Sequence, residues 1–202
     1  WTWEAAIKAR ADFVAVVTGD DEIIKAVTSW DGTVIRTIKE HASGTNRCAE
    51  AMEVVPDDCE SITVLQGDEP LFRPAWHASL TARLRYDHRH NQAATLVCSL
   101  KDEELQNPSV VKAVVCHDER VLYFSRASLA GAMKHIGVYT FRRKGLIGLP
   151  FLPTGLLRQA EDLEQLAWLE AGWPIAAVEV DNSGISIDTA EDLERFRKMV
   201  ET

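Results

Sequence analysis

Short β-branched, apolar runs alternate with amphipathic stretches along the whole of this 202-residue sequence, and that alternation constrains the fold more than any other feature. Residues 13–18 (FVAVVT) and 62–65 (ITVL) read as strands, each followed closely by Gly and acidic residues, as in a mostly parallel sheet covered on both faces. Further strands are expected over 94–99, 110–115, 121–124, 136–141 and 175–180, with 110–124 forming a hairpin that turns at 117–120. Helices are expected over 20–28, 47–55, 74–85, 162–171 and 188–200; the last begins with a variant capping box, Thr189 to Asp192. The pattern predicts one domain over 1–202, a three-layer α/β fold on a twisted, mixed sheet. Ligands of such sheets bind at the carboxyl ends of strands, so the segments after Thr18, Leu65 and Ile187 are where chemistry is expected.

The sharpest of these is Gln66-Gly67-Asp68-Glu69-Pro70, directly after a strand. Gly67 permits a close backbone approach, Pro70 fixes the exit, and Asp68 is placed to hold Mg²⁺, which takes few protein oxygens and shares the rest with water and phosphate. A solvated turn is the alternative for this motif alone. Asp188 lies between a strand pattern and a helix pattern; it is a second candidate carboxylate for the same ion, and equally a helix-start residue.

Ser43, Gly44, Thr45 and Arg47 form a turn of small, hydroxyl and cationic residues of the kind that reads a base edge or a phosphate; an ordinary helix-start loop has the same look. Arg126, His135 and Tyr139, with Lys134 beside them, suit a carboxylated, polyhydroxylated ligand, although His135 next to a strand could be a structural histidine. Glu161, Glu164 and Gln165 are expected on one face of a single helix, either against sugar hydroxyls or facing solvent. His88 and His90 fall in a polar stretch and read as solvated loop.

Composition removes other classes. There are 22 Lys and Arg against 31 Asp and Glu, a formal charge of −9, which disfavours nucleic acid as a partner. Cys48, Cys59, Cys98 and Cys116 form no CxxC pair and read as reduced thiols, and no apolar run is long enough for a membrane span or a signal peptide, so cytoplasm is the expected compartment. GxSxG, Walker, HExxH and GxGxxG patterns are absent, which leaves hydrolase, P-loop, zincin and dinucleotide readings without support.

In order and content, HASGTNRCAE (41–50), VLQGDEPL (64–71), NPSVVK (107–112), LYFSR (122–126), KHIGVYTFR (134–142), EDLEQLAWLEAG (161–172) and IDTAEDLERFR (187–197) resemble the CMP-Kdo synthetase family, where Kdo is 3-deoxy-manno-octulosonate. The resemblance implies a nucleotidyltransferase fold, a cytoplasmic homodimer, Mg²⁺, CTP and Kdo as substrates, and a place in lipopolysaccharide or other Kdo-containing polysaccharide synthesis. It implies metal and catalytic roles for Asp68 and Asp188, a nucleotide site at Ser43, Gly44, Thr45, Arg47 and Gln66, and a sugar site at Arg126, His135, Tyr139, Glu161, Glu164 and Gln165. The family also opens with a strand and a basic loop of the type ARxxSxRxPGKP, which has no counterpart in this sequence, and it carries TDD where this chain has Thr18-Gly19-Asp20-Asp21. Asn46 replaces the Asp of SGTDR, and only seven residues separate Arg126 from Lys134, where the family connection is longer. Two alternatives stay open: another acidic sugar, such as an amino analogue of Kdo, and a catalytically silent nucleotide-binding homologue, which the missing phosphate loop supports.

Overall fold

The computed structural model describes residues 1–87, 91–181, 184, 186, 187 and 189–201; Asp188, His88 and His90, singled out above, lie outside them. In chain order the elements are α1 (Thr2–Lys8), β1 (Val16–Thr18), α2 (Asp21–Ser29), β2 (Val34–Arg36), α3 (Gly44–Ala51), β3 (Ser61–Val64), α4 (Pro74–Arg85), β4 (Ala93–Cys98), α5 (Asp102–Leu105), β5 (Lys112–Val115), β6 (Val121–Ser125), β7 (Met133–Arg142), α6 (Arg143–Gly148), α7 (Leu156–Glu161), α8 (Glu164–Glu170), β8 (Ile175–Glu179) and α9 (Ala190–Val200).

The local chemistry explains several boundaries. Asp20 caps α2 by accepting from the backbone N–H groups of Glu22 and Ile23. Pro74 opens α4 at a position whose N–H would be unpaired in any case. Thr189 and Asp192 close a reciprocal capping box on α9, as the sequence predicts.

β1 and β2 form a two-stranded parallel sheet, and the other strands form a six-stranded one in the order β6-β5-β7-β4-β8, with β3 also on β7. The expectation of a mixed sheet holds, but its mostly parallel character is corrected: among the described residues β7 runs antiparallel to β3, β4 and β5, β5 pairs antiparallel with β6, and only β4–β8 and β1–β2 are parallel. Covered, near-continuous apolar strands suggest parallel pairing, yet the long β7 achieves the same burial by threading between strands of opposite direction.

β4 is buried at every residue, and its alternation divides the core in two. Ala93 and Val97 face a cluster with Tyr139, Phe141, Leu146, Leu166 and Trp168; Ala94, Leu96 and Cys98 face one with Trp76, Leu80, Leu84 and Val138. Helices α3, α6 and α8 therefore cover one face and α4 the other, which gives the three layers expected. Leu80 is fully buried, and truncating such a side chain to Ala costs about 2–5 kcal/mol.

The helix expected over 162–171 begins only at Glu164, and Glu161 does not share it: Asp162 takes a left-handed conformation (φ 53°) that ends α7 at Glu161, and α8 starts afresh at Glu164. Glu161 and Glu164 consequently point to different partners.

Candidate active site

The carboxyl end of β3 leads into Gln66 and an exposed turn at Gly67 and Asp68, while Glu69 is buried. The N–H of Ile187 donates to the Asp68 carbonyl at 2.9 Å. The turn carrying Asp68 thus lies against the residue that precedes Asp188 in the chain. An exposed carboxylate at such a turn fits a hard cation that keeps most of its ligands as water or phosphate. Among the described residues no group of three or more His, Cys, Asp or Glu is arranged to hold a metal, so a site of the dense, all-protein kind is not formed there.

Facing this turn is the start of α3. Ser43 caps the helix by accepting from the Asn46 N–H at 3.2 Å. Gly44 is exposed and leaves room for Gln66: a Cβ there would sit 2.7 Å from Gln66 Oε1. Thr45 is fully buried and donates to Glu164 Oε1 at 2.6 Å. Arg47 donates from Nη1 to Thr37 Oγ1 at 2.7 Å, close to Gly19. Four of the residues assigned to the nucleotide, Ser43, Gly44, Thr45 and Gln66, are therefore neighbours, and Thr45 joins them to Glu164 on α8.

Tyr139 continues the same surface. Its ring lies 5.4 Å from that of His135 and 4.9 Å from Trp168, and its buried hydroxyl has no hydrogen-bond partner of acceptable geometry. Burial, then the Glu164 carboxylate, push the phenol well above its ordinary pKa, although the Thr95 hydroxyl works the other way. A buried hydroxyl so poorly satisfied beside the candidate site is what a ligand hydroxyl would complete. His135 is half-buried, packed edge-on to Phe124 at 4.9 Å, and burial holds its imidazole down to about 3, so it is neutral. Gln165 is buried at the first turn of α8. Cys48 of α3 also senses this centre: burial and the nearby Glu164 raise its thiol to about 11.

Arg126 and Glu161 sit at the end of β6. Glu161 Oε2 accepts from the Arg126 N–H at 2.9 Å, and Oε1 from Ser125 Oγ at 2.7 Å. Burial pushes the Glu161 carboxyl upward, but these bonds and the Tyr123 hydroxyl outweigh it, and the net shift is downward. Both Glu161 oxygens are thereby occupied within the protein, which makes it a brace for the Arg126 segment. Arg126 Nη1 donates to the Pro108 carbonyl at 3.1 Å.

The structure adds Lys112, the last residue of NPSVVK. It is fully buried, and its Nζ donates to the carbonyls of Asn107 at 2.6 Å and Arg126 at 3.0 Å. Arg126 is thus clamped at its N–H, its carbonyl and its guanidinium. The available signal was a lone cation inside the apolar run VVKAVV, since a buried lysine must be fully hydrogen-bonded. Among the described residues no helix is long and apolar enough to cross a membrane.

Comparison with known proteins shows the family. Residues 1–180 match the family model described as cytidylyltransferase. The 3-deoxy-manno-octulosonate cytidylyltransferase of Flavobacterium johnsoniae is 39% identical over 211 residues, covering 98% of this chain and 86% of that protein. A solved structure of CMP:2-keto-3-deoxy-manno-octonic acid synthetase complexed with CTP is 35% identical, with a TM-score of 0.92 over 98% of this chain and 85% of that one. A 4-diphosphocytidyl-2C-methyl-D-erythritol synthase from Anaerococcus prevotii, 16% identical with a TM-score of 0.68 over 100% of this chain and 87% of that one, shares the fold. This chain belongs to the cytidylyltransferase family.

Proposed function

We propose that this chain transfers CMP from CTP to Kdo, releasing pyrophosphate. The observation that carries the reading is the 2.6 Å bond from Thr45 to Glu164. It sets the turn suited to a nucleotide against the helix suited to a sugar, in a chain 35% identical to a CMP:2-keto-3-deoxy-manno-octonic acid synthetase solved with CTP.

In this reading the anomeric hydroxyl attacks the α-phosphorus; a sugar-oxygen–phosphorus bond forms, the bond to the β-phosphate oxygen breaks, and the hydroxyl proton leaves to solvent. Ser43, Gly44, Thr45 and Gln66 seat the nucleotide, with Arg47 beside them. Arg126, held on three sides, meets the sugar carboxylate. His135, Tyr139, Glu164 and Gln165 orient the hydroxyls, and Glu161 braces Arg126. Asp68 and Asp188 would hold Mg²⁺, which when bound neutralises phosphate charge during displacement. Positioning and electrostatics supply most of the rate, since the displacement requires no covalent intermediate.

A homodimer, a cytoplasmic location and a role in lipopolysaccharide or related polysaccharide synthesis belong to the same proposal. Exposed apolar side chains at Ile147, Phe151, Leu156 and Leu157 provide a surface on which a second copy would pack. The test is pyrophosphate release from CTP and Mg²⁺ over a panel of acidic sugars. Kdo should give the highest kcat/KM; preference for an amino analogue of Kdo, or CTP binding without turnover on every sugar, supports one of the alternatives instead.

A further inference from the structure

The Thr95 hydroxyl, fully buried on β4, has one proton and several polar neighbours. His135 Nε2 lies at 2.9 Å, the Val138 carbonyl at 2.9 Å and the Ile136 carbonyl at 3.4 Å. Carbonyl oxygens only accept, so the arrangement that satisfies both 2.9 Å contacts gives the hydroxyl proton to Val138. The contact with Nε2 then requires its proton to be on the histidine. The arrangement arises from a bulge: Thr95 pairs with Tyr139 but Leu96 pairs with Ile136, so a single step on β4 spans residues 137 and 138 as extras on β7. The ladder is interrupted there, and Thr95 takes up the carbonyls beside the break.

We infer that Thr95 is a positioning residue that fixes neutral His135 as its Nε2–H tautomer, leaving Nδ1 as an acceptor for a hydroxyl of the acidic sugar. The His135 side chain makes no further hydrogen bond among the described residues, and Nδ1 is not among the buried polar atoms left without a partner. A bare lone pair attracts an O–H or N–H donor and repels carboxylate or phosphate oxygen. His135 therefore discriminates the hydroxylated part of the ligand from its anionic part, which falls to Arg126. The inference rests on the proposed function, because it takes the ligand to be that sugar.

Long-range ¹H–¹⁵N correlation on the unsubstituted protein reads the tautomer without any variant. Protonated Nε2 and unprotonated Nδ1 are expected; a protonated Nδ1 overturns the assignment. In steady-state assays, folded Thr95→Val should raise the KM for the sugar roughly tenfold, as for one lost hydrogen bond, with kcat and the KM for CTP unchanged. Thr95→Ser, which keeps the hydroxyl, should restore both tautomer and KM. An unchanged sugar KM in Thr95→Val refutes the positioning role. His135→Phe separates the two layers: if it leaves the sugar KM unchanged, the sugar assignment itself fails, whatever the tautomer.

Discussion

Thr45 and Glu164, 119 residues apart in sequence, meet through a 2.6 Å hydrogen bond in which the buried hydroxyl donates to the carboxylate. The bond closes the space between α3 and α8 and fixes the relative placement of the nucleotide and sugar halves of the candidate site. Removing the hydroxyl leaves a half-buried carboxylate without its donor. Thr45→Val should therefore lower stability by about 1–3 kcal/mol, measured by denaturant unfolding. In a double-mutant cycle with Glu164→Gln the two losses should be non-additive; strict additivity contradicts the coupling.

Gly44 and Gln66 make a second, steric prediction. A Cβ at position 44 would come within 2.7 Å of Gln66 Oε1, and the flexible amide can swing away at little cost to the fold. Gly44→Ala should keep the parent melting temperature while raising the KM for CTP roughly tenfold, the equivalent of one misplaced hydrogen bond. Calorimetry beside initial-rate kinetics separates the two effects.

Asp68 is exposed at the turn, and the proposed function gives its carboxylate a metal-holding role. Asp68→Asn should cut kcat by roughly a hundredfold or more while leaving the unfolding midpoint in place. The Mg²⁺ concentration for half-maximal rate should rise as well. Activity within a few-fold of the parent refutes the metal role.

His135 predicts the direction of acid destabilisation. Burial holds it down to about 3 in the folded chain, against an ordinary 6.5 when unfolded. Between those values the unfolded chain binds the extra proton, so stability falls as pH is lowered through that window. The groups facing the ring, Thr95, Phe124 and Tyr139, offer no anion to reverse this, and Glu164 lies beyond Tyr139. His77, also lowered by burial, acts in the same direction. His135→Phe should therefore show a smaller loss of melting temperature between pH 7 and pH 5 than the parent; an equal loss contradicts the assignment.

Local chemistry made much of the fold legible. Residues 74–85 match α4 because proline marks the start, and the 117–120 turn lies between paired β5 and β6. What stayed hidden depends on contacts distant in sequence. β2 is only three residues long and carries no periodic signal. The antiparallel course of β7 looks, from composition, like any doubly covered strand. The break at Asp162 is one residue's backbone choice beneath an uninterrupted leucine stripe, and it sends Glu161 to Arg126 and Glu164 to Thr45. In the candidate site, family-type motifs pointed to Gln66, Thr45 and Tyr139, but the Thr95 hydroxyl bridge requires a strand register that no local pattern encodes.

Nucleotidyl transfer at the α-phosphorus of CTP is followed directly by ³¹P NMR of a single reaction. With CTP, Mg²⁺ and Kdo, the triphosphate signals should give way to one sugar-linked CMP phosphodiester and one pyrophosphate in equal amounts. Persistence of intact CTP under saturating substrate, or its conversion to CDP and phosphate, would contradict it.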